Sequence, residues 1–434
     1  MARRSRWVWI VVVMLVGAVA GTRPAAADIA TPEGVKGVVK NERKEKGERV
    51  LDPVPGVRIT ATAASGAVAE GVTDAEGAFE IALPGGPGVY TIALDSSTLP
   101  KDVTLSVDAA ASGSVEIRPS QILNRNFFTG KDTRSTRSRW GRLPQTIFDG
   151  LFFGLIIAIC AVGLSLIYGA TGLSNFTHGE MVTFGALVTW VANQRWGLNL
   201  VPAAVIGVAA GVLGGYALDR GLWEPLRKRR SGLTSQMIIS IGLALFFLQL
   251  WTFLFGGRAK PYKDFQQQTD PIKLGPVEFP PRVLSTLLLC LAVLVGVAYF
   301  LMRTRFGKAV RAVSDNPDLA SSTGINTDRI IRIVWLLGGG LAALGGVLLG
   351  LDQQVKFDSG AGLLLLMFAA ITLGGLGSAF GALVGSLVIG LAVELWGWFF
   401  PTFADLKRVG ALAALVIVLL VRPQGILGRK ERVG

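Results

Sequence analysis

The sequence predicts a polytopic α-helical membrane protein of about eight spans, preceded by a small all-β sandwich domain. Two observations predict the membrane part: the 434 residues are 51% hydrophobic and only 17% charged, and several apolar runs reach the roughly 20 residues that a helix needs to cross a bilayer. A third observation predicts the sandwich. Residues 34–118 contain short alternating runs of apolar and polar residues, separated by Gly, Pro and Asp, which is typical of strands joined by turns.

The first 27 residues have the pattern of an export signal. Arginines within residues 3–6 precede an apolar run at 7–20, and three alanines at 25–27 form a small-residue cleavage site. We therefore predict a signal peptide over residues 1–27, with an uncleaved anchor helix as the alternative. In either case the segment that follows is expected outside the cytoplasm.

The sandwich is predicted over residues 28–125. Its stretch "PVPGVRITATAASGAVAEGVTDAEGAFEIALPGGPGVYTIAL" resembles the carboxypeptidase regulatory-like family, a transthyretin-like sandwich. The resemblance rests on Pro-Gly-Val at 55–57, a "TDAEGAF" hairpin at 73–79 and Gly-Val-Tyr at 88–90. In the hairpin, Asp74 and Gly77 suit the ends of a tight turn. Since the segment lacks His and Cys, we expect no metal there and a spacer or docking role, with ligand binding as the alternative.

A basic linker, residues 126–146, leads into the membrane domain, which is predicted over residues 147–430. Spans are expected near residues 147–167, 172–192, 199–219, 234–256, 281–302, 330–350, 362–399 (two segments) and 409–421. Gly377, Gly381 and Gly385 are spaced four apart, so they are expected on one helical face. Small residues allow two helices to approach closely in lipid, and this face is therefore predicted to be a packing seam.

The net charge of +13 is concentrated beside the apolar segments. Loops 220–232 and 303–332 and the tail after residue 421 are basic, which places them in the cytoplasm by the positive-inside rule. Anionic lipid head groups are the expected counter-charge, and no nucleic acid partner is expected. The basic linker conflicts with an exported sandwich, but a folded exported domain overrides local charge.

A polar cluster interrupts the second span. It contains the only histidine of the chain, and its members are Asn175, Thr177, His178, Gly179 and Glu180. Unsatisfied polar groups at membrane depth cost several kcal/mol each, and broken helices near the midplane commonly line transporter paths. We therefore predict that the cluster lines or supports a translocation path. Glu180 either binds a substrate ammonium or ties two helices together, and the sequence leaves both open.

A short capped helix is predicted in the loop between the fifth and sixth spans. Asn316 suits an N-cap, Pro317 the first helical position, and Gly324 the residue after the end, so the helix covers Pro317 to Thr323. A helix of this kind, exposed to the cytoplasm, suits docking of a soluble partner. An ordinary connecting turn is the alternative.

Four motifs in order resemble one family. They are "GLSLIYGATGLSNFTHGEMVTFGALV", "TRFGKAVRAVSDNPDLASSTGINTDRI", "AAITLGGLGSAFGALVGSLVIGLAVE" and the closing "LVRPQGILG". Together they are similar to the branched-chain amino acid ABC transporter permease family, the LivH-type membrane subunit, over about residues 145–430. Typical members begin near the first span, so the signal and the sandwich are additions.

The resemblance implies an importer with a defined set of partners: a second permease subunit, two cytoplasmic ATPase subunits and an extracytoplasmic solute-binding protein. It implies that the helix at 317–324 docks into an ATPase groove. The residues implied to form or position it are Gly307, Arg311, Asp315, Asn316, Pro317 and Gly324. The chain has no G-x-x-x-x-G-K-[ST] motif, so ATP is expected to bind a partner, and we expect no cofactor, no metal and no enzymatic activity here.

Two other functions remain open at this point. Import of another small polar solute, such as urea or an amide, fits the same motifs because pore residues poorly specify the solute. An envelope sensor that uses the sandwich as a ligand-binding domain belongs to a different class. The sensor is disfavoured because only 13 residues follow Val421. The sandwich itself is expected to recruit the binding protein or to tether the complex to the envelope.

Overall fold

A computed structural model of the chain describes residues 33–45, 48–63, 66–83, 86, 88–100, 103, 112–117, 122–129, 140–263 and 271–421. The predicted signal peptide, most of the basic linker and the tail motif after Val421 lie outside these ranges. The described residues form two compact units, a β-rich unit before residue 138 and a helical unit from residue 138 onward.

The β-rich unit is a sandwich of two sheets. Its strands are β1 (Gly34–Glu45), β2 (Glu48–Pro53), β3 (Arg58–Ala63), β4 (Val68–Val72), β5 (Ala78–Ala82), β6 (Gly88–Leu94), β7 (Ser112–Ile117), β8 (Ile122–Asn124) and β9 (Phe127–Thr129). One sheet has the order β4-β3-β6-β7 and is antiparallel. In the other, β1 pairs antiparallel with β2 and β5 and parallel with β8 and β9.

The core lies between the two sheets and consists of alternate side chains along each strand. Side chains at every second position of a strand point to the same face, and the buried set follows this rule: Ile59 and Ala61 on β3, Ile92 and Leu94 on β6. Tyr90 is buried with its hydroxyl satisfied, since the hydroxyl donates a hydrogen bond of 2.7 Å to the Gly86 carbonyl. The prediction of a small all-β unit is therefore confirmed.

Two details of the predicted sandwich differ from the structure. The turn at 73–79 is not a hairpin, because the strands on its two sides lie in different sheets: β4 pairs with β3, and β5 pairs with β1. Buried Thr73 directs this crossing, since its hydroxyl donates to the Val54 carbonyl at 2.8 Å. Strand β9 also belongs to this unit and follows the predicted bound at residue 125, since it pairs with β1 and Phe127 is buried in the core.

The helical unit contains twelve α-helices within the described residues. They are α1 (Leu143–Thr171), α2 (His178–Trp190), α3 (Leu200–Leu218), α4 (Glu224–Lys228), α5 (Leu233–Phe255), α6 (Pro281–Arg303), α7 (Arg305–Asp315), α8 (Pro317–Ser322), α9 (Thr327–Gln353), α10 (Ser359–Gly374), α11 (Ala379–Phe399) and α12 (Lys407–Val421). A short hairpin, β10 (Ile272–Leu274) and β11 (Val277–Phe279), precedes α6.

Each of the nine ranges predicted as spans contains a helix, although residues 172–177 are not helical. Six helices are long and apolar enough to cross a membrane: α1, α3, α5, α6, α9 and α11. The other three apolar helices of the described residues, α2, α10 and α12, are shorter. Helix α1 is the centre of the unit, since nearly all of its residues from Phe152 to Ile167 are buried.

The unit has two opposite ends, which we name by the elements found there. The first residues of α1 lie at the β10–β11 end, because the Gln145 side-chain oxygen accepts a hydrogen bond of 2.9 Å from the Glu278 amide and Phe148 stacks on Phe279 at 5.0 Å. The last residues of α1 lie at the α7–α8 end, where Gly169 packs against Ser314.

The predicted glycine seam is only partly correct. Gly381 and Gly385 do face α10, where added Cβ atoms would meet the backbones of Gly374 and Ala370. Gly377 is not on that helix: it lies in the turn before α11 with a φ of +76°, a left-handed conformation that favours glycine. The regular spacing of four thus spans a turn and a helix.

Candidate functional site

The α7–α8 pair is built by local capping. The Thr304 hydroxyl accepts a hydrogen bond of 3.0 Å from the Gly307 amide at the start of α7, and the Asn316 side chain accepts one of 2.9 Å from the Leu319 amide at the start of α8. Gly324, two residues after the last residue of α8, has a φ of +86°. Capping of both kinds stabilises a short helix by about 1 kcal/mol each, and the predicted helix over residues 317–323 is present as Pro317–Ser322.

The predicted coupling residues take different positions on this pair. Gly307 is buried against the last carbonyls of α6, where a side chain would clash. Arg311 and Asp315 are exposed and line an open cleft of about 740 Å³, together with Lys308 and the turn before α11. Leu319, on the outer side of α8, is 63% exposed.

The polar cluster lies inside the helical unit, at the broken start of α2. Residues 172–177 have no regular helix, and α2 begins at His178. The Nε2 atom of His178 lies 3.0 Å from the Cys160 carbonyl oxygen, near the middle of α1. Because a carbonyl only accepts hydrogen bonds, the histidine hydrogen is on Nε2. The cluster therefore sits halfway along the central helix.

Hydrogen bonds to backbone tie this cluster to α5. The Thr177 hydroxyl donates to the Ser240 carbonyl at 2.9 Å, and the Ser240 hydroxyl accepts from the Phe176 amide at 3.2 Å. Asn175, buried as well, holds the turn by accepting from the Thr177 amide at 3.1 Å. These bonds satisfy backbone groups that the broken helix leaves unpaired, as a break at membrane depth requires.

Gly179 and Glu180 connect the cluster to α10. Gly179 packs directly against Gly360, and the Gly360 amide donates a hydrogen bond of 3.0 Å to the Thr183 hydroxyl. Glu180 is only 3% exposed, and its Oε2 atom has no hydrogen-bond partner among the described residues. A buried polar atom without a partner is costly, and the cluster has three such atoms among the described residues: Glu180 Oε2, Asn175 Nδ2 and His178 Nδ1.

The structure does not bring the two predicted sets of residues together. His178 lies beside Cys160, halfway along α1, while Ser314 of α7 lies beside Gly169 near its end. The five cluster residues are buried between helices of one chain, so this geometry favours a supporting role over direct exposure to a path.

Sequence reasoning missed an ionic network at the α7–α8 end. Glu224 accepts hydrogen bonds from Arg220 at 2.5 Å, Lys228 at 2.6 Å and Arg332 at 3.0 Å. Beside it, Arg227 donates to Asp219 at 2.7 Å. The spacing Arg220-Glu224-Lys228 was a usable signal, since residues four apart share a helical face.

The network attaches the loop after α3 to the start of α9. Arg332 belongs to α9, and its partner Glu224 begins α4. Trp223 and Trp335 stack beside them with ring centroids 5.8 Å apart, and both are fully buried. Since α9 follows directly on α8, the network fixes the helix that carries the capped pair.

The fold and this site define a multi-pass membrane transport subunit. The family described as "Branched-chain amino acid transport system / permease component" matches residues 146–419, which is more than half of the chain. The chain therefore belongs to that family, as its four motifs predicted. The β-rich unit lies outside the matched range, and its likeness to the carboxypeptidase regulatory-like family stays a prediction.

Individual relatives agree. The chain is 30% identical over 307 residues to "High-affinity branched-chain amino acid transport system permease protein LivH" of Escherichia coli (strain K12), covering 66% of this chain and 96% of that protein. It is 32% identical over 309 residues to the permease protein BraD of Pseudomonas aeruginosa, with the same coverage. The solved structure "PsaBC from Streptococcus pneumoniae in complex with Fab" aligns over 66% of this chain and 96% of its own at 17% identity, with a TM-score of 0.38.

Proposed function

We propose that the chain is the permease subunit of an ATP-driven importer of branched-chain amino acids in the cytoplasmic membrane. Its relatives LivH and BraD carry that solute class in their names. In this proposal a second permease subunit completes the path, two cytoplasmic ATPases drive it, and an extracytoplasmic binding protein delivers the solute. The chain contributes no catalysis of its own.

The observation that carries the proposal is the exposed side of α8. Leu319 points away from the unit. It belongs to a helix of about two turns, and its neighbours on that helix are mostly polar. A large apolar side chain at the centre of an exposed polar patch suits insertion into a groove of a soluble partner. The caps at both ends hold the helix in place before docking, which lowers the entropic cost of binding.

The orientation follows from charge. The α7–α8 end carries the basic residues Arg227, Arg229, Arg230, Arg305 and Arg311, so we place it in the cytoplasm. Helix α1 begins at the opposite end, at Gln145. A segment that enters α1 from that end comes from outside the cytoplasm, which supports an extracytoplasmic sandwich that recruits the binding protein. Nine crossings that begin outside the cytoplasm end inside it, so we place the tail after Val421 in the cytoplasm.

The polar cluster is assigned a supporting role beside the path. The broken start of α2 holds α1, α5 and α10 together through Cys160, Ser240 and Gly360.

Two leucines of similar exposure provide a matched test. Leu319 is 63% exposed on α8, and Leu274 is 70% exposed on β10 at the opposite end. We expect Leu319→Glu to lower labelled leucine uptake at least tenfold, because burying a leucine contributes about 1.5–3 kcal/mol to docking. Leu274→Glu should transport as wild type does. Equal uptake by the two variants would contradict docking through α8, and unchanged leucine uptake in cells lacking the gene would contradict the solute.

A further inference from the structure

A cleft opens at the β10–β11 end, between the last turn of α9, the first turn of α10 and α1. It encloses about 110 Å³. One wall is apolar and consists of Phe153, Leu349 and Leu363. The rim carries two opposite charges two residues apart, Lys356 and Asp358. The cleft thus combines an apolar wall with a cation and an anion.

The segment that carries both charges is held in place. Val355, buried, exchanges two backbone hydrogen bonds with Lys260, at 2.8 and 3.0 Å. The Lys356 amide donates to the Ser359 hydroxyl at 3.0 Å, and Gln354 adopts a φ of +67°, which is uncommon for a residue other than glycine. These constraints fix the turn so that both charged residues line the same cleft.

Both charges are available to a ligand. Among the residues that the structure describes, neither side chain has a hydrogen-bond or ion-pair partner, and Asp358 does not cap the helix that it precedes.

We propose that this cleft is an entry site for a zwitterionic amino acid with an apolar side chain. The ammonium group pairs with Asp358, the carboxylate pairs with Lys356, and the side chain contacts the apolar wall. The size agrees: at roughly 10–15 Å³ per water, the space corresponds to about nine water-sized atoms, the number of non-hydrogen atoms in leucine. This inference rests on the proposed function and specifies where the solute first meets the permease.

The cleft ends before the polar cluster. Gly360, in the first turn of α10, packs on Gly179, and its amide is bonded to Thr183. This close backbone contact separates the cleft from the broken start of α2, so the ligand contacts the residues of the cleft and not those of the cluster.

The test uses the purified complex of permease, ATPases and binding protein in lipid vesicles, and the same permease–ATPase complex without the binding protein. Leucine uptake is measured on the first, and equilibrium binding of labelled leucine on the second. Isocaproate, which lacks the ammonium, and isoamylamine, which lacks the carboxylate, serve as competitors. The variants are Asp358→Asn and Lys356→Gln, and the control is Lys273→Gln, an exposed lysine of β10 at the same end.

Each variant should weaken leucine binding about tenfold, because a charge-assisted contact is lost. Their competition profiles should differ. Asp358→Asn loses its preference for leucine over isocaproate but still rejects isoamylamine. Lys356→Gln loses its preference for leucine over isoamylamine but still rejects isocaproate. Lys273→Gln should match wild type. Basal ATP hydrolysis reports that each variant is folded and assembled.

The outcomes separate the two proposals. If wild type imports leucine and both variants bind and discriminate as wild type does, the entry site is overturned and the proposed function stands. The same holds if wild type imports leucine but shows no leucine binding without the binding protein. If wild type complex imports no leucine, both proposals fail.

Discussion

Replacing Glu224 by glutamine tests whether the ionic network stabilises the α7–α8 end. The substitution keeps the shape of the side chain and removes its charge. Glu224 is the buried member, with its side chain 4% exposed, while Arg332, Arg220 and Lys228 are 29%, 34% and 55% exposed. All three cations lose their shared negative partner in this single change, because a glutamine oxygen still accepts a hydrogen bond but carries no charge.

The expected loss in unfolding free energy follows from the exposed fractions of these side chains. Breaking a fully buried ion pair costs about 3–5 kcal/mol, and an exposed pair contributes about 0–1 kcal/mol. Here the lost group is buried but the remaining cations reach water, so we expect a loss of about 2 kcal/mol in unfolding free energy. For a unit of this size that corresponds to a melting temperature lower by about 4 °C.

Thermal unfolding of the detergent-solubilised chain, followed by tryptophan fluorescence, measures this loss. The Trp223–Trp335 stack lies beside the network and reports its opening. Lys228→Met, at the most exposed cation, is the matched control and should cost less than about 1 kcal/mol. If Glu224→Gln melts no earlier than Lys228→Met, burial does not set the strength of this network and the reasoning is refuted.

Three further substitutions test the packing and the polar turns. Gly381→Val should prevent α11 from packing on α10, because a Cβ at this position meets backbone atoms. We expect the variant to lose its single symmetric peak in size-exclusion chromatography. Gly296→Val is the control and should behave as wild type, because a Cβ there meets nothing within 4 Å. Thr177→Val should cost about 1 kcal/mol, since it removes a buried hydrogen bond to the Ser240 carbonyl of α5; Thr177→Ser should retain most stability in thermal unfolding. Asp74→Ala should speed amide hydrogen exchange in β5, because the side chain accepts from two amides of the turn; exchange no faster than in Glu76→Ala would contradict this.

Part of the candidate site was predictable because its causes are local. Asn316, Pro317 and Gly324 specify a helix start and stop through the chemistry of caps, independent of any distant residue. The helix formed within one residue of its predicted end. The break at residues 172–177 was likewise predictable, since polar residues and glycine interrupt an apolar run.

Other features depended on residues far apart in the chain and were missed or misplaced. The strands around 73–79 alternate as a hairpin would, but pairing is decided by which sheet buries each face. The hydrogen bond that Arg332 donates to Glu224 joins residues 108 positions apart in the chain. No local sequence pattern predicts this bond.

By itself the sequence determined the class of this protein: its apolar runs require a bilayer, and its motifs identify the permease family. Only the tertiary structure decided what the polar residues do. Hydropathy is a property of each segment, but a hydrogen bond or an ion pair needs a partner at a given distance, and the fold alone supplies that partner. Thr183 shows the difference, since its hydroxyl accepts the Gly360 amide hydrogen only when α10 packs against α2.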